Sequence, residues 1–452
     1  MGLHRRCYDV LFIFLCAFNL SINYVEAFTA DFRNSLNLQT KPMAPHCKQV
    51  QMSFSENDRQ RMSDINRKFL SGIIGAMAIL QPMKILFESH QAFAVTTSQT
   101  SSGSRAITDG GSLLRSALPF SNQEARDLQS AIDGIKTNIK VNRWSQALSG
   151  CQRARFILGS KANEMLISVR ETEKIIAQEQ IEKVKKLLGP LEDVLNSRNM
   201  EKIDSAFSAH EAVARAVGDL EEMMIPEEFV REIPEEYSHL PYLKGRAEVE
   251  LVVVKGPEDK DGKFYVDGTL HDQAKLVLTL DGYNAPITAG NFMDLVDKGF
   301  YNGLKITRSD GFVVQTGDPY PQNDNINGYI PKGASEPRTI PLEISIAGEE
   351  ELIYGITAED IGKGSLPAAL PFQANGALGM ARSEADPDSG SSQFFFFLFD
   401  SDLTPAGKNV LDGRYTNFGY VTKNAKFLQD LKEGDIIKNA KIIKGKDGLV
   451  KT

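Results

Sequence analysis

Ile306-Thr307-Arg308-Ser309-Asp310-Gly311-Phe312-Val313-Val314-Gln315-Thr316-Gly317-Asp318 is the stretch whose reading decides the fold. Downstream of it stand Gly376-Ala377-Leu378-Gly379-Met380-Ala381-Arg382, Ser391-Ser392-Gln393-Phe394-Phe395, Leu411-Asp412-Gly413-Arg414 and Phe418-Gly419. Upstream stands Ala285-Pro286-Ile287-Thr288-Ala289-Gly290-Asn291-Phe292. The surrounding pattern has the period of strands. Val249, Leu251 and Val253 alternate with Glu248, Glu250 and Val252. Residues 274–280 alternate in the same way and end in Asp281-Gly282, a turn signal. A short helix is expected from Thr288 to Leu295 and another near residues 426–431. Two short helices among many short strands predict a closed β-barrel with two capping helices, occupying residues 246–452.

Before the barrel lies a connector, residues 225–245, with Pro226, Pro234 and Pro241 among five glutamates. Prolines so spaced end helices and make a semi-rigid acidic linker. Residues 112–224 have a helical period instead. Ser121 and Glu124 form an S-x-x-E capping box, and Leu128, Ile132, Ile135 and Ile139 follow at helical spacing. A second stripe runs through Trp144, Leu148, Cys151, Ala154 and Leu158. A third runs through Ile181, Val184, Leu188, Leu191 and Leu195, where Gly189-Pro190 is expected to kink or break the helix. Ile203, Phe207, His210, Ala214 and Val217 make a fourth, and His210 on it reads as a core residue. Amphipathic helices with short connections predict a small antiparallel bundle, so the fold class is multidomain, α plus β. Residues 95–111, rich in Ser, Thr and Gly, read as a flexible leader.

The first 94 residues read as an address. Arg5-Arg6, an apolar run from Val10 to about Val25 and the small-residue exit at Ala27 make a signal peptide over residues 1–27. Residues 28–68 carry seven Lys/Arg against four acids, a composition similar to a plastid transit segment. Residues 69–94 hold a second apolar run that ends in Ala92-Phe93-Ala94, a thylakoid transfer signal. A membrane anchor is the other reading of this run, and Pro82, Lys84 and the Ala-x-Ala exit argue against it. Signal, transit and transfer segments in series resemble the tripartite presequence of a complex plastid, with the thylakoid lumen as destination and no stable membrane span in the mature chain.

The 452-residue whole has 42% hydrophobic and 24% charged residues, which excludes collagen, a coiled-coil rod and a polytopic membrane protein. Its net charge of −8 argues against a nucleic-acid partner. Residues 1–94 hold 10 of the 51 Lys/Arg and 7 of the 59 Asp/Glu, so the remainder has 41 basic and 52 acidic residues and a net charge of −11. Cys7, Cys16 and Cys47 leave with the presequence, and Cys151 stays as a single thiol that reads as buried and inert.

The barrel motifs together resemble the cyclophilin family of peptidyl-prolyl isomerases. Residues 306–318 are similar to its F-x-x-Q-x-G-D strand with the preceding catalytic arginine, and residues 376–395 to its G-x-x-x-M-A and S-Q-F-F segments. With the run from Gly311 to Pro319, Leu118-Pro119, Pro234-Glu235-Glu236-Tyr237 and Pro241-Tyr242-Leu243-Lys244-Gly245-Arg246 extend the likeness beyond the barrel: the whole mature chain is similar to the large lumenal members of that family in plants, which join a helical bundle to a cyclophilin domain. The resemblance implies Arg308 as the catalytic residue, with Phe312, Gln315, Met380, Ala381, Gln393, Phe395, Leu411 and Tyr415 binding substrate. Phe312, Phe395 and Leu411 would form the slot for the proline ring; in isolation the same three read as barrel core. The implied partners are proline-containing segments of lumenal or photosystem proteins, with photosystem II assembly and maintenance as the process. No cofactor and no metal is expected, since residues 246–452 hold no Cys and one His, His271.

The chain departs from the family pattern at Thr307, Arg382, Val410 and Tyr415, and the stretch from Arg308 to Phe312 is one residue short. Two functions follow: a lumenal peptidyl-prolyl isomerase, or a non-catalytic assembly chaperone whose slot only binds. A long segment, about residues 343–374, is either a partner surface or a solvated insertion. N-terminal sequencing of the mature protein is expected to start near Val95; a start at Phe28 would overturn the lumenal address.

Overall fold

The computed structural model describes residues 109–260, 262–320, 328–398 and 409–451. The signal, transit and transfer segments expected in residues 1–94 lie outside the described residues, as does most of the leader.

Helix α1 (Gly110–Ser116) starts inside the stretch read as leader, because the Asp109 carboxylate accepts the Ser112 amide at 3.0 Å and caps it. Helices α2 (Gln123–Lys140), α3 (Trp144–Ser160), α4 (Ala162–Leu166), α5 (Lys174–Ser197) and α6 (Ile203–Glu222) follow. The long ones, α2, α3, α5 and α6, pack in a ring: α2 on α3, α3 on α5, α5 on α6, α6 on α2. Their buried stripes follow those of the sequence in α2 and α5, while in α3 Ala147 is buried in place of Leu148 and Trp144 is only partly buried, and in α6 Ile203 and Phe207 are only partly buried. Leu128, Ile132, Ile135, Ile139, Val184, Leu188 and Val217 have no exposed surface. His210 is buried among them, its Nε2 bonded to the Ile132 carbonyl at 2.9 Å.

Two local expectations are corrected. The cap of α2 is Asn122, one residue past Ser121: its Oδ1 accepts the Ala125 amide at 3.0 Å. Asn122 wins because its amide nitrogen also reaches the Glu164 carbonyl and the Ser168 hydroxyl, tying α2 to α4. Helix α5 runs unbroken through Pro190. Pro190 lies on the exposed side, and so does Lys186, whose carbonyl the missing N–H leaves to water.

The strands are β1 (Tyr242–Leu243), β2 (Arg246–Val254), β3 (Phe264–Val266), β4 (Thr269–His271), β5 (Ala274–Asp281), β6 (Ile306–Ser309), β7 (Val313–Thr316), β8 (Glu343–Ser345), β9 (Leu352–Tyr354), β10 (Ala377–Met380), β11 (Phe394–Phe397), β12 (Asn417–Lys423), β13 (Ile436–Lys444) and β14 (Leu449–Val450). Eight form one antiparallel sheet in the order β13-β2-β5-β12-β10-β11-β7-β6. The sheet is curled, and its edges meet at a single bridge, Lys305 to Ile436, with Ile306 N donating to Asp435 O at 2.8 Å and Ile437 N to Leu304 O at 2.9 Å. A full ladder around the expected barrel is therefore absent at this seam. Ala274, Leu276, Leu278 and Leu280 of β5 point inward, as alternation requires. Helix α7 (Pro286–Asp297) covers the interior with almost every residue buried. The second capping helix is a short 3₁₀ turn, Ala425–Asp430.

Bundle and sheet meet directly, and not only through the acidic connector. Gly110 of α1 lies on Tyr420 of β12 so closely that a Cβ there would sit 2.7 Å from the tyrosine Cβ. Arg246 of β2 bonds the Leu114 carbonyl and the Asp281 carboxylate, both at 2.5 Å. Asn284 donates to the Ala117 carbonyl at 3.2 Å, and Arg215 of α6 pairs with Glu248 of β2 at 2.7 Å. Arg246 and Asp281 are almost fully buried, at 7% and 0% side-chain exposure, and removing one partner of such a pair typically costs about 3–5 kcal/mol. Arg246→Ala is expected to lower the urea midpoint by a loss of this size, while Lys426→Ala, at an exposed pair, should change stability by less than about 0.5 kcal/mol.

Candidate active site

Strand register assembles the site. Arg308 on β6 stands opposite Gln315 on β7, Gln315 opposite Phe395 on β11, and Phe395 opposite Gly379 on β10. Residues directly opposed in an antiparallel sheet point to the same face. The neighbouring row, Thr316, Phe394 and Met380, points to the other face. Phe394 and Met380 belong to the interior core with Phe292 and Phe418. The row of Arg308 thus lies on the outside of the curled sheet. Gly379 is needed there, since a Cβ would lie 2.1 Å from the Phe395 ring that covers it.

Phe395 is the centre of a separate apolar cluster. Phe372 stacks on it with ring centroids 5.9 Å apart and planes at 18°, and Tyr415 meets it edge-on at 5.9 Å. Leu411, Ala381 and Val313 pack around the same rings, and Leu113 and Leu114 of α1 belong to the cluster. Gln315 Nε2 donates to Gln393 Oε1 at 2.8 Å, so the two amides fix each other beside the slot. Arg382 sits over the Tyr415 ring at 5.0 Å and donates to the Arg414 carbonyl at 2.9 and 2.7 Å. This holds the 409–415 loop, and with it Leu411, against the end of β10.

Arg308 is half exposed, and its Nε donates to Asp310 Oδ2 at 2.6 Å. The other Asp310 oxygen accepts the Phe312 and Val313 amides, each at 3.0 Å. Against a burial penalty, these amides and Arg308 hold the Asp310 carboxyl below the usual range.

Of the residues expected to line the site, the structure brings Arg308, Gln315, Gln393, Phe395, Ala381, Leu411 and Tyr415 to one face. It does not bring Phe312 or Met380 into the apolar cluster. Phe312 is 72% exposed in the turn between β6 and β7, where Asp310 binds its amide. Met380 is interior core. Phe372 and Asp310 were not foreseen. Phe372 comes from the long 343–374 segment, which is anchored and not a free loop: Phe372 N donates to Asp412 Oδ1 at 2.7 Å, and Ala358 N to Gly413 O at 2.9 Å. No local pattern announces that contact. Asp310 did carry a signal, as an acid two residues from the arginine in an Asp-Gly turn.

The same segment begins with Glu343, which is buried at the N-terminus of α7. Its two oxygens accept the Ile287 amide at 3.1 Å and the Thr288 amide at 3.0 Å. Between it and the slot lies a small cavity of about 10 Å³, room for about one water, lined by polar and apolar residues alike, among them Asn284, Ser345, Asp412, Leu370 and Phe372. Burial pushes the Glu343 carboxyl up to about 7, against the lowering pull of the two amides.

Two family models match the chain. One, described as cyclophilin type peptidyl-prolyl cis-trans isomerase, matches residues 265–447. The other, described as the PsbQ-like domain of CYP38-like peptidyl-prolyl cis-trans isomerases, matches residues 109–225. A protein named as a thylakoid lumen peptidyl-prolyl cis-trans isomerase in Synechocystis is 42% identical over 76% of this chain and 85% of its own length. The chloroplastic peptidyl-prolyl cis-trans isomerase CYP38 of Arabidopsis thaliana is 40% identical over 76% of this chain and 75% of its own. The chloroplastic CYP37 of the same plant is 29% identical over 74% of this chain and 69% of its own.

Glu343 gives a prediction with a definite sign. Its carboxyl is raised in the fold, from 4.5 to about 7, so the stability it contributes is complete below 4.5 and lost as pH rises through about 7. The stability of the natural chain relative to Glu343→Gln should therefore fall between pH 5 and pH 8, by on the order of 3 kcal/mol. Parallel urea titrations at the two pH values measure this, and a constant difference would refute it.

Proposed function

The chain belongs to the cyclophilin-type peptidyl-prolyl cis-trans isomerases, and from that premise we propose that Arg308 is the group that turns a bound X-Pro bond. The compartment is the plastid thylakoid lumen. A peptide bond resists rotation by about 18–20 kcal/mol because resonance must be broken. In the rotating state the prolyl nitrogen turns pyramidal and gains a lone pair. A guanidinium over that nitrogen favours the rotating state more than the planar one, which is catalysis by differential binding. The observation that carries the reading is the register that sets Arg308, Gln315 and Phe395 in one row across β6, β7 and β11. In that row the Phe395 cluster receives the proline ring, Gln315 and Gln393 bond the substrate backbone, and the Arg308 guanidinium reaches the nitrogen between them. Phe312 projects at the rim, where it meets residues beyond the proline.

The clients we propose are proline-containing segments of lumenal photosystem proteins, with photosystem II assembly and maintenance as the process. The support is the similarity of both regions of the chain, in the same order, to the lumenal and chloroplastic relatives. A second reading, a chaperone that binds such segments without turning them, is favoured by one observation: Phe395 is already covered, at 6% exposure, by Phe372 and Tyr415.

Turnover of a proline tetrapeptide by the mature protein separates the two. The isomerase reading expects a rate above background that falls about tenfold or more in Arg308→Ala, a loss of at least 1.4 kcal/mol in transition-state binding. Equal background rates, with full rescue of photosystem assembly by Arg308→Ala, would leave the chaperone reading alone.

A further inference from the structure

Resting on the isomerase reading, we propose that Asp310 restrains Arg308: its carboxylate is an internal competitor that the substrate must displace before the guanidinium can serve the prolyl nitrogen. Both contacts of the guanidinium are to the same oxygen, Nε at 2.6 Å and a terminal nitrogen at 2.5 Å from Asp310 Oδ2. The other oxygen is bolted to the turn by the Phe312 and Val313 amides at 3.0 Å. The carboxylate therefore cannot follow the arginine toward a substrate. It holds the arginine back at the turn.

The sequence makes this possible. The stretch between Arg308 and Phe312 is one residue shorter than the family pattern, and within it stands the Asp310-Gly311 pair. Gly311 takes the positive φ of 85° that closes the turn, which brings the carboxylate back over β6. Arg308 faces Gln315 across the β6–β7 pair, yet Gln315 is bonded to Gln393. The nearest anion thus sets where the guanidinium rests. A carboxylate on the guanidinium also offsets the positive charge that a developing lone pair would meet.

The pair is only half buried, at 55% and 36% side-chain exposure, so it is a weak restraint and not a lock. Its strength falls as salt screens it.

Asp310→Asn is the discriminating variant, because the asparagine Oδ1 keeps both turn amides bonded while the charge is removed. The experiment measures kcat/KM on a proline tetrapeptide for the full mature chain, for Asp310→Asn, and for Asp310→Asn with Arg308→Ala, at low and high salt. Asp310→Asn is expected to raise kcat/KM about two- to fivefold, the range such a pair is worth. The added Arg308→Ala should abolish the gain, and raising the salt should narrow the gap by speeding the natural chain. An unchanged or lower rate in Asp310→Asn overturns the proposal, whether that rate lies above background or at it. Background rates in all three chains would overturn the isomerase reading as well. A gain that survives Arg308→Ala would also overturn the proposal, since it would come from elsewhere in the slot.

Discussion

One buried carboxylate organises the junction on which the rest of the molecule is built. Asp281, at the end of β5, receives Arg246 on one oxygen. Its other oxygen accepts the Tyr283 and Asn284 amides and the Asn284 side chain. Arg246 passes the link on to the Leu114 carbonyl of α1, and Asn284 to the Ala117 carbonyl and the Ser345 hydroxyl. Bundle, sheet, the entry to α7 and the anchored 343–374 segment therefore share one set of charge-assisted hydrogen bonds. In a dry setting such a set is costly unless every member is satisfied, which is why it specifies one docking of the helices on the sheet.

That docking reaches the slot. Leu113 and Leu114 follow the capped start of α1 into the apolar cluster that holds Phe395, and the 343–374 segment brings Phe372 to the same cluster. Three parts of the chain thus meet in one apolar cluster: the sheet carries the polar row beside it, the inserted segment adds the aromatic Phe372, and the bundle adds Leu113 and Leu114. Arg382, one of the departures from the family pattern, adds a cation–π contact with Tyr415 on the loop carrying Leu411. Of the departures from the family pattern, Arg382 and Tyr415 pack together at the slot, whereas Val410 stays 72% exposed.

Period-2 and period-3.6 patterns were legible because each is written in a few consecutive residues, and β5 and α2 follow them. Arg308, Gln315 and Phe395 were legible through motif resemblance, and register explains their alignment. What was not legible depends on long-range contacts. Asn122 displaced Ser121 as the cap because of partners on α4, and Pro190 was tolerated because the unpaired carbonyl faces water. Phe372 joined the slot through Asp412, far along the chain. The exposure of Phe312 follows from a hairpin whose turn is fixed by Asp310, a side chain whose role shows only once the turn is built.

The seam between β6 and β13 has a consequence for how the molecule breathes. The strand that carries Arg308 is an edge strand, paired with β7 through a register irregularity between Ile306 and Arg308 and stitched on the other side by a few backbone bonds near Lys305, with the Ser309 hydroxyl on the Leu431 carbonyl at 2.8 Å. Edge segments with sparse pairing open at a lower free-energy cost than the strands beside them. The amides of β6 are therefore expected to exchange with solvent sooner than those of β5 or β12, so that the arginine rides on a strand that opens more readily than β10 and β11, which are paired on both sides and carry the apolar slot.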